Sequence, residues 1–142
     1  MKYILIFVVV VLVGIGIFVS RQKFAHAPVV SPQPVQYKDL VYIAQPLSGT
    51  KVTSPLVVSG RARGNWYFES SFPVRLLDGN GNTIALTPAQ AQGEWMTTDY
   101  VPFSVTLTFS TPTTATGTLI LQKDNPSGEP QFDDSVSIPV TF

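Results

Sequence analysis

The sequence predicts an all-β domain, an antiparallel β-sandwich, preceded by a single N-terminal transmembrane helix. Three observations lead there. From residue 40 onward, apolar and polar residues alternate in short segments divided by Gly, Pro, Asn and Asp, the two-residue period of half-buried strands. Nowhere in that stretch is a 3.6-residue period sustained. Ahead of it, Ile4 to Val19 is an unbroken run of apolar residues and glycine, with Lys2 before it and Arg21 and Lys23 after it.

As a helix, that run is roughly 24 Å long. Lys2 and Arg21 can snorkel and the bilayer can thin to meet it. Residues 1–23 are therefore expected to be a signal-anchor segment. Ala25-His26-Ala27 matches a signal-peptidase site. Pro28 just beyond it, and the charges of Arg21 and Lys23 before it, argue for retention over cleavage. Basic residues on the two sides nearly balance. The mostly polar stretch that follows resembles exported domains, so the N-terminus is expected inside and the C-terminal domain outside, as a single-pass protein of the cell membrane. Residues 24–39 contain Pro28, Pro32 and Pro34 and are expected to be an extended spacer.

Residues 40–142 carry the strands. Leu40 to Ala44 is the first, ended by Gln45-Pro46. Leu56 to Arg63 puts Leu56, Val58, Gly60 and Ala62 on one face and Val57, Ser59, Arg61 and Arg63 on the other. Phe72 to Leu77 and Thr83 to Thr87 flank Asp78-Gly79-Asn80-Gly81-Asn82, a hairpin signal. Residues 88–92 allow one helical turn at most. Val101 to Phe109 alternates cleanly, with Val101, Phe103, Val105, Leu107 and Phe109 on one face. Thr116 to Gln122 and Val136 to Phe142 complete the set. Seven or so short strands in a domain of this size point to a sandwich of immunoglobulin type.

Composition narrows the function. Nine basic and nine acidic residues balance, but three of the basic ones flank the apolar run. From Phe24 onward the formal charge is −3, which gives no electrostatic reason to bind nucleic acid. The chain has no cysteine, so disulfides, thiolate chemistry and Cys-based zinc sites are excluded. The one histidine, His26, precedes the domain. That excludes a Ser-His-Asp triad or a His-based metal site within it. No Gly-rich phosphate loop is present. A carboxylate pair drawn from Glu69, Glu94 and Asp99 is the remaining catalytic option, and one small sandwich offers little depth for a cleft. No enzymatic activity and no cofactor are expected.

Three stretches resemble a known family. They are Pro46-Leu47-Ser48-Gly49-Thr50-Lys51-Val52-Thr53-Ser54-Pro55-Leu56 leading into Val58-Ser59-Gly60-Arg61-Ala62, Trp66-Tyr67-Phe68-Glu69 continuing to Phe72-Pro73-Val74, and Gly93-Glu94-Trp95-Met96 followed by Pro102-Phe103 and Asp124-Asn125-Pro126-Ser127-Gly128. Together they are similar to the immunoglobulin-like domain of bacterial spore germination, the Gmad family, over roughly Val41 to Phe142. The resemblance implies a β-sandwich exposed in the envelope, and it brings no catalytic residues.

Candidate site residues remain. Trp66 or Tyr67 can form a platform for a sugar ring or a protein partner. The weightier reading sends Trp66 and Phe68 into the core, where small Gly60 and Ala62 leave room. Trp95 poses the same choice, with core again favoured. Arg61 and Arg63, two apart on one strand, form a possible fork pair for carboxylate or phosphate. The plainer reading leaves them solvated, with Glu69 as an ion-pair partner. Asp78 to Asn82 begins like a calcium loop, but Thr83 and Ala89 stand where Gly and Glu are needed. Residues 123–134 hold Asp124, Glu129, Asp133 and Asp134. These are oxygen ligands for a weak calcium site or, with more weight, turn and capping residues. The expectation is a membrane-tethered, non-catalytic binding module for an envelope protein or cell-wall polymer. The alternative is a self-associating structural component of the envelope.

Overall fold

A computed structural model describes residues 34–142. The strands are β1 (Val35–Tyr37), β2 (Val41–Gln45), β3 (Leu56–Arg63), β4 (Ser71–Asp78), β5 (Thr83–Ala91), β6 (Tyr100–Leu107), β7 (Thr116–Gln122) and β8 (Ser135–Thr141). Short 3-10 turns occupy Gly64–Trp66 and Pro130–Phe132. No helix among the described residues is long and apolar enough to cross a membrane. The expected anchor, residues 1–23, lies outside the described residues, as does most of the expected spacer.

All strand pairs are antiparallel, in the order β1-β2-β3-β6-β5-β4-β7-β8. The β5–β6 seam is short, limited to Gln90↔Ser104 and Ala91↔Phe103. There the sheet folds over, so that β1, β2, β3 and β6 face β5, β4, β7 and β8, with Phe103 of β6 against Phe72 of β4. The ends then meet. Lys51 bridges Thr141 in parallel, and the Val52 amide donates to the Thr141 carbonyl at 2.8 Å.

Alternation decides what enters the core. Val101, Phe103, Val105 and Leu107 of β6 are buried, as are Phe72, Val74 and Leu76 of β4 and Val136, Ile138 and Val140 of β8. Phe72 meets Phe103 edge to face at 5.0 Å, and Tyr67 meets Phe72 at 5.1 Å. Such pairs add directionality to apolar burial. Gly60 lies opposite Phe103. A Cβ there would stand 2.1 Å from the Tyr42 carbonyl and 3.0 Å from the Phe103 ring. Gly60 thus makes room for Phe103 and the β2 backbone, where the sequence suggested room for Trp66.

Two expectations are corrected. The spacer does not run to Asp39, because Val35–Tyr37 is the edge strand β1, paired with β2 as Val35↔Ile43 and Tyr37↔Val41. A turn with Lys38 at φ 45° and Asp39 at φ 52° reverses the chain; neither residue is glycine, so the turn left no clear mark in sequence. Residues 88–91 are not helical but extend β5. There the Ala91 amide donates to the Ser70 carbonyl at 2.8 Å, and the next amide, of Gln92, to the Pro102 carbonyl at 2.8 Å. Neighbours on both sides supply the partners that local propensity did not announce.

Candidate functional site

Trp66 and Tyr67 are 0% and 4% exposed, so neither presents a ring to a ligand. The Tyr67 hydroxyl donates to the Val101 carbonyl at 2.8 Å, and burial pushes its pKa well above the ordinary phenol range. Tyr37 of β1 covers Trp66 edge-on at 6.2 Å. Phe68, expected inside, is 39% exposed. The 3-10 turn over Gly64–Trp66 breaks the two-residue alternation, and Tyr67 takes the inward place instead. Trp95 is half-buried and packs against the edge of the core.

Arg61 and Arg63 do share the outer face of β3. Arg63 pairs not with Glu69 but with Asp39, Nη2 to Oδ2 at 2.9 Å. Its Nε donates to the Asp39 carbonyl at 3.2 Å and its Nη1 to the Thr98 carbonyl at 3.3 Å. The Tyr100 hydroxyl donates to Asp39 Oδ1 at 2.8 Å. The hydrogen bonds from Tyr100 and Arg63 hold the Asp39 carboxyl below the usual carboxylate range, and the same carboxylate raises the Tyr100 hydroxyl above its usual one.

The arginines and tyrosines alternate in space. The Arg63 guanidinium carbon lies 4.0 Å from the Tyr100 ring centre. That of Arg61 lies 5.1 Å from Tyr100 and 4.8 Å from Tyr42. Tyr42 is on β2 and Tyr100 on β6, the two neighbours of β3. The order is therefore Tyr42, Arg61, Tyr100, Arg63, Asp39. Sequence reading found the arginines but missed Tyr42, Tyr100 and Asp39. Tyr42 lies between buried Val41 and Ile43, and that alternation was legible; its pairing opposite Arg61 was not. Beside this ladder runs an open groove of ≈ 460 Å³, lined by Tyr42, Ser59, Arg61, Gln92, Pro102 and Ser104 among others.

The carboxylates are dispersed. Glu94 and Asp99 line one depression beside Tyr100, which Glu69 does not join. Asp78 accepts the Asn80 and Asn82 amides at 2.9 and 2.8 Å, which closes the β4–β5 hairpin. Asp134 accepts from Tyr37 at 2.7 Å and from the Ser135 amide at 2.9 Å, and Asp133 accepts from Asn125 at 2.8 Å. Asp78 and Asp133 bind within their own loops, and Asp134 also binds β1 through Tyr37. Among the described residues no group of three His, Cys, Asp or Glu is placed to hold a metal ion.

The described residues thus form an immunoglobulin-like β-sandwich with a Tyr–Arg ladder on one outer face. Residues 40–141 match the family model described as the immunoglobulin-like domain of bacterial spore germination. The chain belongs to that family. No curated protein and no solved structure was found to match it.

Proposed function

We propose that the protein is a membrane-anchored, extracytoplasmic, non-catalytic binding module of the bacterial cell envelope, and that it engages its partner through the outer face of β2, β3 and β6. One observation carries this reading: the Tyr42–Arg61–Tyr100–Arg63 ladder stands on the outer face, with its Tyr100 and Arg63 end held by Asp39. Arginine and tyrosine are favoured at binding hot spots because they bring large contact area and directed donors. A pre-ordered set loses less side-chain entropy on binding. Family membership and the apolar N-terminal run support the envelope setting.

The test uses the full chain in detergent micelles, immobilised and challenged with solubilised envelope proteins and, separately, with wall fragments. Retention of a defined protein or of wall material is expected, with a loss of about tenfold or more for Tyr100→Ala at matched folding. Retention of neither would overturn the reading. Protease added to intact cells is expected to degrade the domain, and full protection would refute the outward orientation.

A further inference from the structure

The two arginines of the ladder are in different states. Arg63 spends its donors on Asp39 and Thr98. Arg61 is exposed, and among the described residues its side chain makes no hydrogen bond and no ion pair. Its guanidinium is nonetheless positioned, with the Tyr42 ring on one flank of β3 and the Tyr100 ring on the other. Contact with ring faces orients a guanidinium and leaves its five N–H donors free. Arg61 is also the one charged residue among those lining the adjoining groove.

We propose that Arg61 is the anion receptor of this face, and that its ligand is a carboxylate carried by a wall glycopolymer. The inference rests on the binding-module reading above and deepens it. A single uncompensated positive charge suits a monoanion. The Tyr42 and Tyr100 rings flank the exposed Arg61 guanidinium and leave its donors without a protein partner. A planar carboxylate matches a guanidinium fork with two parallel hydrogen bonds. The rest of the lining is neutral and hydrogen-bonding: Ser59 and Ser104 sit side by side across β3 and β6, with Gln92 nearby. These groups suit sugar hydroxyls and acetamido groups, and Pro102 and Tyr42 offer apolar surface to a ring face. The groove is open to solvent, so it need not enclose its ligand.

The test is co-sedimentation of the full chain, in detergent micelles, with purified peptidoglycan sacculi. One batch is stripped of phosphate polymers, and a portion of it then has its carboxylates converted to amides. Binding to stripped sacculi is expected. It should weaken about tenfold or more on amidation, and by a similar factor for Arg61→Gln. Amidation should cost the Arg61→Gln variant little more, because both changes remove one contact. Arg61→Lys should restore only part of the binding, since an ammonium lacks the fork. Circular dichroism and melting checks confirm that the variants fold, and the amidation arm needs no variant.

Binding that survives both amidation and Arg61→Gln would overturn the carboxylate site while leaving a wall-binding module. Binding lost when phosphate polymers are stripped would overturn it in favour of a phosphodiester. Capture of an envelope protein without wall retention would overturn it and keep the broader reading. Retention of neither would remove both.

Discussion

The Tyr37 hydroxyl donates to Asp134 at 2.7 Å across 97 positions of the chain. That bond ties the first strand to the loop before the last, and the Tyr37 ring covers the fully buried Trp66. The end of a proline-rich stretch is thus part of the domain, and residues 34–37 belong in any shortened form of it.

Replacing Tyr37 should therefore loosen the core from its edge. Tyr37→Phe keeps the ring and loses one hydrogen bond, so it should cost about 1 kcal/mol. Tyr37→Ala also removes the aromatic contact and should cost about 2 kcal/mol or more. Urea denaturation in a Trp95→Phe background, where Trp66 alone fluoresces, measures both. Tyr37→Ala should also shift the native emission to the red; an unchanged emission would mean that Tyr37 does not cover Trp66.

Asp39 links pH to the ladder. Its folded-state pKa is lowered, so its contribution to stability is present above the unfolded value of about 3.9. That contribution is lost as pH falls through the folded value. Asp39→Asn should melt slightly below wild type at pH 7 and lose less stability between pH 5 and pH 2.5. Parallel melting curves across that range would show that Asp39 carries no such linkage.

Tyr67 acts at the other end of the scale. Burial raises its folded-state pKa, and ionisation would set an oxyanion against the Val101 carbonyl. The unfolded chain ionises near pH 10, so the stabilisation is full below that value and is lost as pH climbs beyond it. Tyr67→Phe should cost about 1 kcal/mol at pH 7 and show a shallower decline above pH 10. Denaturant midpoints at pH 7, 9 and 11 give the comparison.

Gly60→Ala should be more damaging than an ordinary strand substitution. The added methyl meets the Tyr42 carbonyl and the Phe103 ring, and neither can retreat without disturbing the β2–β3 ladder or the core. A loss of about 1–3 kcal/mol is expected. An unaltered melting temperature would show that β2 moves freely at this point. Because Tyr42 and Arg61 face each other across the same ladder, binding should weaken along with stability.

Much of the fold was legible. Leu56 to Arg63 and Thr116 to Gln122 alternate between flanking turn residues, and both strands have those bounds. Asp78 to Asn82 reads as a turn because asparagine, aspartate and glycine bind their own backbone or tolerate left-handed conformations. The site was legible in part. Two arginines at i and i+2 must share a face, which alternation alone reveals. Their state was hidden: Asp39 reaches Arg63 from the β1–β2 turn, and Tyr100 sits opposite Arg63 on β6.

The sequence by itself determined the all-β class, the inward faces of most strands and the shared outer face of Arg61 and Arg63. Each follows from a two-residue period and from turn chemistry, which act between near neighbours. The tertiary structure alone decided that Val35 to Tyr37 joins the sheet, that Tyr67 rather than Phe68 enters the core, and that Asp39 occupies Arg63 while Arg61 stays open. Those outcomes depend on register and on contacts between residues distant in the chain. No local pattern encodes them, because their energies arise only once the sheet has folded over on itself.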